Sequence, residues 1–70
     1  MRRKKVSPEE HAADKAFLKC FANCPVPVLQ LSELFIVARK AYSEHGPVYG
    51  DLAAFNAMVA YAEAHNIPHN

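Results

Sequence analysis

The sequence predicts an all-α fold, on three observations. Apolar residues recur at helical spacing in three separate stretches. Prolines, glycines and capping residues punctuate the boundaries between those stretches. No stretch alternates apolar and polar residues for long enough to read as a strand. The expected architecture is a small three-helix domain with the third helix central, as a compact bundle or an intertwined homodimer.

Residues 1–6 carry no apolar period and read as a flexible basic arm. Residues 7–70 read as one domain. Ser7-Pro8-Glu9-Glu10 opens the first helix: a serine N-cap, proline at the first helical position and glutamate at the third. This helix is expected to run to about Cys24. Its apolar stripe is Ala13, Phe17, Cys20, Phe21 and Cys24, and its wet side holds His11, Lys15 and Lys19. Pro25 and Pro27 then stop the helix.

The second helix is expected from about Leu29–Ser32 to His45, with Gly46 and Pro47 as its stop. Leu31, Leu34, Phe35, Val37, Ala38, Ala41 and Tyr42 form one apolar face. Ser32, Glu33, Arg39, Lys40, Ser43 and Glu44 form the other, with Ile36 out of pattern among them. Residues 46–50 read as a loop, with Gly46 and Gly50 both serving turns. Asp51 is expected to cap a third helix running to about Asn66. In that helix Leu52, Phe55, Met58, Val59 and Ala62 make one apolar face. Ala53, Ala57, Ala60 and Ala64 make a second, with Tyr61 at its edge. A helix apolar nearly all round is expected to be buried.

A chain of 70 residues has a small core, and such domains usually rely on a disulfide, a metal or a partner chain. The 51% apolar content excludes intrinsic disorder as the default state. No apolar stretch reaches bilayer length, and no apolar segment follows the basic start, so the expected location is cytoplasmic with no membrane partner. Cys20 and Cys24 sit four apart on a helix, a geometry that does not favour a bridge; they read as small buried hydrophobes. The net charge of +1 is unevenly placed. Arg2, Arg3, Lys4 and Lys5 give +4, while four cations against seven carboxylates leave the remainder at −3.

No catalytic motif is present: no nucleophile elbow, phosphate-binding glycine loop or zincin pattern. Glu9 and Glu10 are adjacent, so they diverge on a helix and suit capping. The two cysteines and scattered His11, His45, His65 and His69 lack the convergence of a zinc site. The expectation is a non-enzyme without cofactor or metal.

Two binding readings follow. Arg2, Arg3, Lys4 and Lys5 suit contact with nucleic acid or an acidic surface, as in arms that enter a minor groove. Against this, the third helix has no Lys or Arg to reach base edges, and the body is acidic. The favoured reading places self-association or partner binding on Ala53, Ala57, Ala60, Ala64 and Tyr61, extended by Ile36 and Tyr49 with Arg39 and Lys40 at the rim. Small residues let another helix approach closely; the occupant is either the first helix of the same chain or a symmetry mate. The expected function is a small regulator that binds and modulates or inhibits another protein, in the manner of phage-encoded inhibitors of host factors. The alternative is a small DNA-binding transcriptional regulator using the basic arm.

Overall fold

The computed structural model describes residues 7–70. It consists of two helices, α1 (Pro8–Phe21) and α2 (Val28–Ala64), with no strand among the described residues. The helical class is as expected. The three-helix division is not: one 37-residue helical element stands where a second helix, a loop and a third helix were expected.

Ser7 caps α1, its hydroxyl accepting from the Glu10 amide at 3.3 Å. Pro8 opens the helix, where a missing N–H is harmless. The helix ends at Phe21, three residues short of the expected Cys24. The cause is a turn over Phe21–Cys24, closed by the Cys24 amide on the Phe21 carbonyl at 3.0 Å. Ala22 (φ −58°, ψ 122°) and Asn23 (φ 63°) fit a type II turn, in which asparagine tolerates the left-handed position.

α2 departs from helical geometry at one residue, Gly46 (φ 79°, ψ 175°). Pro47 follows directly and cannot continue the helix that precedes it, but its fixed φ suits the first position of a new turn. One glycine and one proline therefore do the work expected of a five-residue loop. Gly50 and Asp51 lie inside the helix, so Gly50 forms no turn and Asp51 caps nothing.

The break doubles α2 back on itself. A straight helix of this length would span roughly 55 Å, whereas the longest dimension of the molecule is 37 Å. Tyr42, before the break, lies against Gly50 after it. Further from the break, the Tyr61 hydroxyl donates to Gln30 Oε1 at 2.7 Å. The arms 28–45 and 47–64 are thus paired antiparallel, and α1 packs against both.

The core is built largely from small residues. Ala12, Ala13, Ala16, Cys20 and Phe21 are buried on α1; Leu34 and Ala38 on the first arm; Ala54, Met58 and Ala62 on the second. Phe17 packs its ring on Phe21 and Phe35 at 5.2 and 5.3 Å, joining α1 to the first arm. The second arm buries a narrow line, Gly50–Ala54–Met58–Ala62, spaced four apart. It is not the enclosed central helix that its composition predicts: Leu52 is 59% exposed, and Ala60 and Ala64 are exposed as well.

The end of α2 is a Schellman motif. The Ile67 amide bonds to the Ala62 carbonyl at 2.8 Å and the Asn66 amide to Glu63 at 3.3 Å, with Asn66 left-handed at φ 57°. Ile67 is buried against the core and Pro68 prevents continuation. No described helix is long and apolar enough to cross a membrane.

Candidate interaction surfaces

Two surfaces follow from this packing. The first is a groove between α1 and the second arm of α2. Its lining comes from Ala12, Lys15, Ala16, Leu18 and Lys19 on one side and Asp51, Leu52 and Phe55 on the other, with Asn70 at one end. Its volume is about 950 Å³. Lys15 Nζ and Asp51 Oδ2 meet across it at 3.3 Å. Both side chains are more than half exposed, so the pair steers packing more than it stabilises it.

Asn70 holds the end of α1. Its amide nitrogen Nδ2 donates to the carbonyls of Lys19 (3.2 Å) and Ala22 (3.3 Å), and its backbone amide to that of Cys20 (2.6 Å). The Lys19 and Cys20 carbonyls are among those a helix terminus leaves without internal partners. The Cys24 thiol in turn approaches Asn70 Oδ1 at 3.6 Å. Sequence reasoning missed this role because the partners lie 51 and 48 residues away. Leu18, 69% exposed, was also missed, although it stands outside the apolar stripe of α1.

The second surface is the flank of the second arm that carries the alanines. Ala53 and Ala57 are half-buried; Ala60 and Ala64 are exposed. They lie beside the buried line Ala54–Met58–Ala62, not on it. Within this chain, α1 does not fill the alanine groove; it meets the arm on the side of Asp51 and Phe55. Tyr49 stands at the start of the same flank.

The remaining expected contact residues separate. Tyr61 is half-buried, bonded to Gln30 and stacked on His65 with ring centroids 4.2 Å apart, so it ties the two arms together. Ile36 is 45% exposed. It shares a smaller groove of about 350 Å³ with Leu31, Ser32, Phe35 and the half-buried Arg39. Lys40 is exposed. Arg2, Arg3, Lys4 and Lys5 lie outside the described residues.

The thiols are free. Cys20 is buried, its Sγ 4.0 Å from the Phe55 carbonyl oxygen. Burial pushes its thiol above the ordinary value of 9.0, opposed in part by the Lys19 charge. Cys20 is therefore a protonated core residue at neutral pH. Among the described residues, no three His, Cys, Asp or Glu side chains converge as metal ligands do. No protein-family model, curated protein or solved structure matches this chain.

Proposed function

We propose that this chain is a non-enzymatic binding module that modulates or inhibits another protein by occupying part of its surface. The observation that carries the reading is the uncovered apolar surface of the second arm of α2. Val48, Tyr49 and Leu52 project within one and a half turns of the break, with Tyr49 leading into the alanine flank and Leu52 into the groove beside α1. Single exposed hydrophobes need no explanation, but grouped ones beside a small-residue flank suit contact with another chain. Tyrosine is also a favoured interface anchor, large and with few rotatable bonds.

Self-association belongs to the same reading. A second copy offers the same flank, and two-fold pairing would enlarge a core made mostly of alanine. A solution mass of twice 7.8 kDa by light scattering is then expected, and it should halve in Ala60→Glu.

The test of target binding is capture from cell lysate with the wild type, Tyr49→Glu and Ala60→Glu. Both positions are exposed, so the fold should persist, as circular dichroism would show. The reading expects one discrete protein retained by the wild type and lost by both variants. Identical retention by all three would overturn the assignment to this flank, and retention only of nucleic acid, released steeply by salt, would overturn the reading in favour of the basic arm.

A further inference from the structure

We propose that the groove between α1 and the second arm of α2 binds an amphipathic helix of another protein with carboxylates along one edge. The inference rests on the protein-binding reading above and adds a second contact surface, separate from the alanine flank, with the kind of partner it recognises. Four features of the groove converge on such a helix.

The first is depth. Ala12 and Ala16 lie one turn apart at its base, and neither has a side chain beyond Cβ. The two alanines are 2 and 4% exposed, so the floor raises no side chain against an incoming helix. The second is the apolar walls. Leu18 and Leu52, from different helices, remain 69 and 59% exposed while lining the same groove, with Phe55 half-buried in its lining. A leucine row at helical spacing would cover all three, as in helix-in-groove recognition. The third is size. The groove is open to solvent along its length and measures about 950 Å³, room for a chain segment and not merely for one side chain.

The fourth is charge. Lys15 and Lys19 are one turn apart on the same edge of α1 and both line the groove, although the described body carries more carboxylates than cations. Lys15 is held by Asp51, while Lys19 has no ion-pair partner among the described residues. Carboxylates spaced three or four apart on an incoming helix would lie along that edge. Asp51 on the opposite side is already paired with Lys15 at 3.3 Å, so among the described residues the free charge of the groove is the positive edge at Lys19.

The test uses two labelled helical peptides of about five turns with the same leucine face, one carrying glutamates along an edge and the other lysines. Binding to the full chain is read by fluorescence anisotropy. Saturable binding of the glutamate peptide is expected, about tenfold or more tighter than the lysine peptide. Leu52→Asp should weaken it about tenfold or more. Lys19→Glu should erase the preference between the peptides. Both positions are exposed, so unchanged circular dichroism separates lost binding from lost fold. No saturable binding of the glutamate peptide, or binding indifferent to both substitutions, would overturn the inference. Loss in Ala60→Glu with retention in Leu52→Asp would overturn it while leaving the protein-binding reading intact. A dimer that Leu52→Asp converts to monomer, with no peptide bound by either form, would assign the groove to a second copy instead.

Discussion

Gly50 is glycine for packing, not for a turn. It is helical and buried, and a Cβ there would overlap the ring of Tyr42, including its Cγ next to the backbone. Helix propensity alone favours alanine at such a position by about 0.5–1 kcal/mol. Overpacking of this kind costs about 1–3 kcal/mol, so Gly50→Ala should destabilise the chain on balance. Urea unfolding checks this, and Tyr42→Leu should recover part of the loss when combined with Gly50→Ala. Cys20 makes a second prediction at the same scale. Its thiol titrates higher folded than unfolded, so between those values the folded state holds more protons. Stability is then fully present below the ordinary value of 9.0 and falls as pH rises past it. Under native conditions, iodoacetamide should modify half-buried Cys24 well before buried Cys20, as read by peptide mass mapping.

The two helices depend on their ends. Gly46 sits in open space at φ 79°, so Gly46→Ala meets no clash and tests backbone strain alone. A loss of about 1–3 kcal/mol in chemical denaturation is expected, without change in helix content. Asn70→Ala removes two side-chain bonds to the end of α1 and should cost about 1 kcal/mol, with faster amide exchange in the last turn of α1. These ends also show what a sequence can disclose. Ser7-Pro8-Glu10 was legible because an N-cap is local, and the stop at Gly46-Pro47 was legible for the same reason. The length of the connection was not, since a single left-handed glycine reverses the chain when proline restarts the helix. The phase of the second arm was also hidden. Nearly every position from 52 to 62 is apolar, so Leu52 and Val59 suggested a face that omits buried Ala54. The tail's hold on α1 was beyond reach, because no local pattern marks a cap from so distant a residue.

At the scale of the molecule, a chain this short cannot cover both sides of all its helices. The core takes the line Ala54–Met58–Ala62, the arms meet through Tyr42 and Tyr61, and α1 covers only one flank. What is left outward is apolar: the alanine flank, Tyr49, and the groove walls Leu18 and Leu52. The interaction residues expected from sequence thus divide. Ala60, Ala64 and Tyr49 face outward, Ala53 and Ala57 are half-covered, and Tyr61 serves the fold. The outward alanines were legible as a second apolar face, whereas the groove was not, because it exists only once α1 and the second arm are packed.

The claim that the second arm of α2 meets another protein is tested most directly by site-specific photo-crosslinking. A benzophenone amino acid replaces Tyr49 in one sample and Glu10, exposed on the side of α1 away from the groove, in another; both are irradiated in cells. A discrete heavier adduct is predicted from position 49 and none from position 10. No adduct from position 49, or the same adducts from both positions, would contradict the claim.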